Sequence, residues 1–119
     1  ITTPGSADPY APKTVRAGMG AHFRLPILAD TPWPEIARLA AGRQVLLAVP
    51  QDGVPYDQVD WRKPTTLVIG GEAQGAGTQA QALATARVNI PMAADVESLN
   101  AAIAAGVLLL EAYRQRTSK

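Results

Sequence analysis

The sequence predicts an α/β domain with a mainly parallel sheet flanked by helices, and three observations lead to this fold class. Short apolar runs rich in β-branched residues alternate with stretches of helical composition along the whole chain. Apolar residues make up 47% of the chain and aromatic residues only 5%, so the core must be built from small aliphatic side chains. The length of 119 residues suits one domain or part of one.

The N-terminal part combines loop signals with a weak helical pattern. Residues 1–11 are rich in Pro, Gly, Ser and Asp, and residues 1–5 are typical of a strand that runs out into a turn. Pro12 suits the first position of a helix, along which Val15, Met19 and Phe23 would form one apolar stripe.

Beyond residue 23, candidate strands and helices alternate. The predicted strands are 24–29, 44–49, 65–69 and 88–91, and the predicted helices are 33–41, 79–86 and 98–116. The strand at 65–69 is apolar and β-branched, which indicates a central parallel strand. Residues 52–63 form a polar loop that starts with an Asp52-Gly53 turn. On the last helix we expect a core face made of Leu99, Ile103, Val107 and Leu110.

Charge and composition limit the possible functions. With 11 basic and 10 acidic residues, the chain is not a nucleic-acid binder that works by bulk charge, so any RNA contact must come from a local patch. The absence of Cys excludes disulfides and fits a cytoplasmic protein. The longest uncharged apolar stretch, 98–110, is shorter than the ~20 residues that span a bilayer, so we expect no membrane partner. Basic side chains that could meet phosphate are Lys13, Arg16, Arg24, Arg62, Lys63, Arg114 and Arg116.

Two strand ends are candidates for a binding site, because ligands of open α/β sheets bind beyond the carboxyl ends of the strands. One end is GGEAQGAG at 70–77, whose glycines expose bare backbone but lack the P-loop and Rossmann patterns. The loop can equally be interpreted as a tight turn. Glu72 would then be a solvated carboxylate within that turn. The other end is MAADVESLN at 92–100, where Ser98 and Asn100 precede the last helix; capping of that helix is the simpler role, above all for Ser98.

Several other chemistries are disfavoured by residue content. His22 is the only His, and a packing or solvent-facing role is the expected one. No G-x-S-x-G motif accompanies it, so a Ser-His-Asp triad is not predicted. With one His, no Cys and scattered aspartates, we expect no metal site.

Three segments together resemble a known family. LVIGGEAQG at 67–75 resembles the second motif of the SpoU-type RNA ribose methyltransferases of the SPOUT superfamily, and VNIPMAADVESLNAAIAAGVLLLEAYRQR at 88–116 resembles their third. DPYAPKTVRAGMGAHFRLPI at 8–27 is similar to the segment that precedes these motifs in the family. The resemblance implies an S-adenosylmethionine-dependent RNA 2′-O-ribose methyltransferase that works as a homodimer, with rRNA favoured over tRNA as the substrate. It also implies a C-terminal trefoil knot, which neither composition nor periodicity would indicate.

The resemblance also implies the site residues. Glu72 and Asn100 would be catalytic, with Glu72 facing the RNA near the ribose. The residues implied to bind the cofactor are Gly70, Gly71, Gly75, Ile90, Met92, Ser98, Leu99 and Asn100.

The chain also departs from the family pattern. The first motif, an Asn and an Arg that follow the first strand, is absent, and so are that strand and its helix. Gly71 stands where many members have Asn, Ala76 where many have Leu or Ile, and Gly18 where Ser is common. We therefore expect residues 1–119, which also lack an initiator Met, to be the C-terminal part of one SPOUT-type domain, inactive alone. The alternatives are a non-catalytic knotted module for dimerisation or RNA docking, and an α/β domain that binds another nucleotide.

Overall fold

The computed structural model describes residues 1–71 and 77–118. The chain divides into two compact units, Ile1–Leu39 and Ala40–Lys119. The first unit holds helix α1 (Pro12–Ala17), a 3₁₀ turn (Ala21–Phe23) and nearly all of helix α2 (Trp33–Ala40). The second unit holds the sheet and the two remaining helices, α3 (Gly77–Leu83) and α4 (Ala101–Thr117).

The predicted helical stripe in the first unit is wrong beyond α1. The helix ends at Ala17, and Met19 (φ 51°) and Gly20 (φ 88°) adopt left-handed conformations that a helix cannot continue through. Met19 and Phe23 are each 91% exposed, so neither continues the stripe begun at Val15. Gly18 and Gly20 explain the difference, since each weakens a helix and Gly20 adopts the left-handed conformation without strain.

His22 packs within the first unit, as expected. Its Nε2 lies 2.6 Å from the carbonyl oxygen of Pro9, which can only accept, and its ring lies 5.8 Å from that of Tyr10. Gly18 makes room for the ring, because a Cβ at that position would lie 2.9 Å from His22 Nδ1. The Gly at position 18 is therefore explained by local packing.

Residues 24–29 do not form the predicted strand, and neither do residues 1–3. Pro26 removes one backbone donor, which makes a regular ladder unfavourable. Isolated bonds connect the two segments instead: Thr2 N–H donates to Leu28 O at 2.9 Å, and Thr31 N–H donates to Thr2 O at 2.8 Å.

The second unit confirms the predicted parallel α/β architecture. Its strands are β1 (Gln44–Ala48), β2 (Val54–Pro55), β3 (Thr65–Val68) and β4 (Ala86–Asn89). They lie in the order β2-β4-β1-β3, and all three neighbouring pairs are parallel.

The prediction of a central strand at 65–69 is wrong, because β3 lies at an edge of the sheet in the described residues. The two inner positions belong to β4 and β1, and Val45, Leu46 and Leu47 of β1 are all buried. An apolar, β-branched run does not distinguish these two positions, since edge strands also pack one face. Strand β2, which falls in the predicted loop at 52–63, escaped prediction because it has only two residues, one of them Pro.

The core of the second unit forms around a tryptophan. Trp61 is 1% exposed, and its indole N–H donates to Tyr56 O at 2.8 Å. Gln115 of α4 connects the segment from Tyr56 to Trp61 to the helix. Its Oε1 accepts from Trp61 N at 2.9 Å, and its Nε2 donates to Val59 O at 3.0 Å. The buried cluster consists of Leu46, Val59, Trp61, Val88 and Leu108.

The predicted core face of α4 is wrong at Ile103 and Leu110, whereas Leu99 and Val107 are half-buried. Leu108 and Glu111 are the buried residues of the helix, whereas Ile103 and Leu110 are 57% and 70% exposed. The run is apolar on nearly every side, so periodicity could not select a face. Glu111 tolerates burial because Arg114 Nε and Nη2 donate to its carboxylate at 2.8 and 2.7 Å. These bonds, followed by one from Gln115, lower the pKa of Glu111 to about 2.

Candidate functional site

The carboxyl ends of β1, β3 and β4 border a cleft of about 570 Å³ that is closed on one side by the start of α4. Parallel strands present their carboxyl ends at one edge, which places the segments that follow them side by side. The residues that line the cleft are Ala48, Val49, Pro50, Ile69, Gly70, Gly71, Val88, Asn89, Ile90, Met92, Ser98, Leu99, Asn100, Ala101, Ala104 and Leu108.

The cleft has an apolar interior with polar groups at one end. Val88 and Leu108 are buried at its wall, and Ile90, Met92 and Leu99 are half-buried beside them. A slot of this composition suits a flat, weakly polar ring system, with backbone groups to orient it. Ser98 and Asn100 supply the hydroxyl and amide side chains at the α4 end.

Asn100 caps helix α4. Its Oδ1 accepts from the backbone N–H groups of Ala102 and Ile103, at 2.9 and 3.3 Å. The sequence suggested a capping role for both Ser98 and Asn100, and the structure confirms it for Asn100. The suggestion is wrong for Ser98, which lies two residues before the cap and is exposed. A cap holds the helix start in place at the cleft, so the role is compatible with ligand binding.

The structure brings most of the predicted site residues together. Every described member of the set lines the cleft: Gly70, Gly71, Ile90, Met92, Ser98, Leu99 and Asn100. Glu72 and Gly75 lie outside the described residues. The functional roles assigned to all of them remain predictions.

Part of the cleft is formed by residues directly after β1, which the sequence analysis did not assign to the site. Val49 and Pro50 line the cleft next to the two predicted strand ends, and so does Asn89 at the end of β4. The signal was available, because the buried run at 44–49 is also a parallel strand, whose carboxyl end must meet the same edge.

A smaller cavity of about 280 Å³ adjoins the cleft. The two share Pro50, Asn89 and Met92, and the smaller one is lined further by polar residues that include Asp52 and Glu97. Asn89 Oδ1 is buried, and it has no hydrogen-bond partner among the described residues. Such an amide is costly to leave unpaired, by about 1–3 kcal/mol.

Two features are absent from the part of the chain that the structure describes. Across 1–71 and 77–118, no group of three His, Cys, Asp or Glu side chains is placed to hold a metal ion. None of the helices in these ranges is long and apolar enough to cross a membrane.

Known proteins of one family are similar to this chain in sequence and in fold. The SpoU rRNA Methylase family matches residues 1–110. A 23S rRNA (uridine(2479)-2′-O)-methyltransferase from Streptomyces viridochromogenes is 40% identical over 121 residues, covering 95% of this chain and 42% of that protein. A tRNA (guanosine(18)-2′-O)-methyltransferase from Aquifex aeolicus is 41% identical over 69 residues, covering 58% of this chain and 33% of that protein.

The fold comparison gives the same result. A SpoU methyltransferase from Streptomyces viridochromogenes, solved in complex with the cofactor AdoMet, superposes with a TM-score of 0.85 at 37% identity. The match covers 98% of this chain and 46% of that one, so the chain spans less than half the length of each of these three relatives. With the family match extending over nearly its whole length, the chain belongs to the SpoU rRNA Methylase family.

Proposed function

We propose that the protein containing this chain is an S-adenosylmethionine-dependent RNA ribose 2′-O-methyltransferase, with rRNA favoured over tRNA. One observation carries the proposal: residues of both family motifs, among them Gly70, Ile90 and Asn100, line one cleft at the carboxyl ends of parallel strands. The AdoMet complex of the similar SpoU methyltransferase supports the choice of cofactor. The rRNA preference is supported by the relative that covers 95% of the chain, which is named as a 23S rRNA enzyme.

The cleft suits an adenosyl group. Ile90, Met92 and Leu99 provide apolar surface for the adenine, and Gly70 and Gly71 leave backbone groups open to the ligand. The cofactor would supply the methyl group on its sulfonium. Since the transfer is a direct displacement, the main task of these residues is to hold the methyl carbon in line with the ribose oxygen.

Removal of the proton from the ribose hydroxyl calls for a base or a polarising group. By resemblance we assign Glu72 to the RNA side of the site, near the ribose. We assign Asn100 to catalysis and to the orientation of polar groups of the cofactor. The assignment of Asn100 is supported by its location at the rim of the cleft, where α4 begins. We also propose that residues 1–119 are the C-terminal part of one catalytic domain, that the segments around the cleft form a trefoil knot, and that the protein is cytoplasmic.

The exposed side of α4 supports a homodimer. Ile103, Leu110 and Tyr113 are 57%, 70% and 68% exposed and follow each other along one side of the helix, with Gly106 between them. A second copy of the chain is the occupant we propose, because a two-fold axis would bury the same apolar side on both subunits.

Replacing Leu110 with Asp should convert this dimer to a monomer, since the two carboxylates would be buried without partners. Light scattering should report about half the mass of the unsubstituted protein. Leu25→Asp is the matched control, because Leu25 is 64% exposed but belongs to the first unit. An unsubstituted protein that is already monomeric would contradict the proposed assembly.

Calorimetric titration of the full-length protein with S-adenosylhomocysteine, with ATP as the control, tests the function. Saturable binding of S-adenosylhomocysteine without binding of ATP is the expected result. Binding of ATP alone would favour another nucleotide-binding domain, and binding of neither would favour a non-catalytic module. Methylation assays on rRNA and tRNA then identify the substrate.

A further inference from the structure

Two apolar side chains of the first unit are almost fully exposed to solvent. Met19 and Phe23 are each 91% exposed, and Leu25, which follows in the same short segment, is 64% exposed. A single exposed apolar residue is ordinary, but several in one segment mark a surface that binds a partner. Basic side chains accompany them, and we use the name first-unit surface for the set Lys13, Arg16, Met19, Phe23 and Arg24.

Backbone hydrogen bonds fold this segment into consecutive tight turns. Met19 N–H donates to Arg16 O at 3.3 Å, at the end of α1. Arg24 N–H donates to Ala21 O at 2.9 Å, at the end of the 3₁₀ turn. Because both bonds close short turns, the chain cannot extend between them, and the side chains from Arg16 to Arg24 stay close to one another.

His22 fixes the direction in which Phe23 points. The Nε2 atom of His22 lies 2.6 Å from Pro9 O, and its ring lies 5.8 Å from the ring of Tyr10, so the imidazole points into the first unit. Successive side chains of a 3₁₀ helix point about 120° apart, because three residues make one turn. The neighbouring Phe23 ring is therefore directed outward by a fixed backbone, which lowers the entropy that its binding to a partner would cost.

The charges around the exposed ring are all positive. Between Asp8 and Asp30 the sequence contains Lys13, Arg16 and Arg24 but no acidic residue. All three basic side chains are exposed, and none of them forms an ion pair among the residues that the structure describes. A surface of this kind favours a negatively charged partner.

An exposed aromatic ring among exposed cations has the composition of a surface that binds single-stranded nucleic acid. The cations bind phosphates, and the ring stacks on a base that is not paired in a duplex. A second copy of the chain fits this surface less well, because a two-fold axis would place the cations of one copy against those of the other. The net charge of only +1 also requires that any RNA contact comes from a local patch.

We infer that the first-unit surface binds an unpaired segment of the RNA substrate: Phe23 stacks on a base, and the three cations bind the phosphates beside it. The inference rests on the proposed function. It adds a place where RNA is held by residues that do not line the cleft. The expected contribution is to RNA affinity and to the preference for unpaired over paired strands.

The test measures the binding of two fluorescein-labelled RNAs to the full-length protein by fluorescence anisotropy. One is a short single strand of mixed sequence, and the other is a duplex of the same length. Phe23→Ala should weaken binding of the single strand by about tenfold and change binding of the duplex much less, because the bases of a duplex are already stacked. Phe23→Trp should retain the affinity, whereas Phe23→Leu, which is apolar but has no aromatic face, should behave as the Ala variant does.

Replacement of the cations gives a second result that does not depend on the Phe23 variants. Each phosphate contact with a single strand contributes about 0.7 to the slope of log affinity against log salt concentration. Arg16→Gln combined with Arg24→Gln should therefore reduce that slope by about 1.4. Arg38→Gln is the matched control: Arg38 belongs to the same unit, but its charge is paired with Glu35, so the slope should stay unchanged.

The possible outcomes separate the inference from the proposed function. An unsubstituted protein that binds neither S-adenosylhomocysteine nor RNA overturns both. A protein that binds S-adenosylhomocysteine but not the single strand overturns the inference alone, and so do variants at Phe23, Arg16 and Arg24 that keep the RNA affinity and the salt slope.

Two other results would identify a different partner for the first-unit surface. Phe23→Ala with a lower melting temperature and unchanged RNA affinity would overturn the inference, because another part of the protein would then cover the ring. Phe23→Ala with about half the mass of the unsubstituted protein and unchanged RNA affinity would overturn it in favour of a second copy.

Discussion

Replacing Asn100 with Ala in the full-length protein is expected to abolish methylation. Two effects combine in this variant. The helix loses the acceptor for Ala102 N–H and Ile103 N–H, which costs about 1 kcal/mol and loosens the start of α4. The cleft loses the amide at its rim, which we propose to orient the cofactor or the ribose. Loss of tritium transfer from labelled S-adenosylmethionine to RNA is the measurement.

Asn100→Asp separates the two effects. The Asp carboxylate keeps an oxygen in the capping position, and a negative charge at a helix N-terminus is favourable. It lacks the amide N–H donors, however. If Asn100 acts through those donors, the Asp variant should be as stable as the unsubstituted protein and still inactive. An active Asp variant would reduce the role of Asn100 to capping, and an active Ala variant would remove it from the site altogether.

The sequence was sufficient to predict the architecture of the cleft, because the relevant rules are local. Alternation of strands and helices predicts a parallel sheet, and the carboxyl ends of parallel strands meet at one edge. From these two steps the segments after β3 and β4 had to lie together, as they do around Ile90 and Leu99. The resemblance added which chemistry to expect there.

The arrangement of the strands in the sheet depends on long-range pairing and was not predictable in the same way. Strand β2 has only two residues, too few to leave a pattern in the sequence. It lies beside β4 because Gly53 has no Cβ, whereas in the sequence Gly53 indicated only a turn. The edge position of β3 is set by which strands are present to pair with it. The apolar content of a strand indicates how deeply it is buried, but it does not indicate which strands pair with it.

The face of α4 was mispredicted for an energetic reason. Its 17 residues include apolar side chains on almost every side, so no single stripe is preferred by hydrophobicity. The choice is made by polar contacts: Glu111 is accommodated by Arg114 and Gln115, and Gln115 in turn binds the main chain at Val59 and Trp61. Hydrogen bonds between residues more than fifty positions apart have no signature in a local pattern.

Trp61→Ala is expected to be the most destabilising single substitution among the core residues. Trp61 is one of the largest fully buried side chains, and removal of a buried aromatic from a core costs about 3–5 kcal/mol through lost burial and the cavity that remains. The Tyr56 carbonyl also loses the indole donor that lies 2.8 Å away. A domain of this size has a total stability of only about 5–15 kcal/mol, so the variant should unfold at much lower urea concentration.

The chain offers two controls for this experiment. Trp33, at the start of α2, is only half-buried, and Trp33→Ala should cost clearly less. Trp61→Phe keeps an aromatic ring but not the indole N–H, and it should lie between the unsubstituted protein and the Ala variant. Because Trp61 belongs to the core cluster and is absent from the walls of the cleft, the Phe variant should retain affinity for S-adenosylhomocysteine while its urea midpoint falls. A Trp61→Ala variant as stable as Trp33→Ala would mean that the segment from Tyr56 to Trp61 does not pack against α4 in solution.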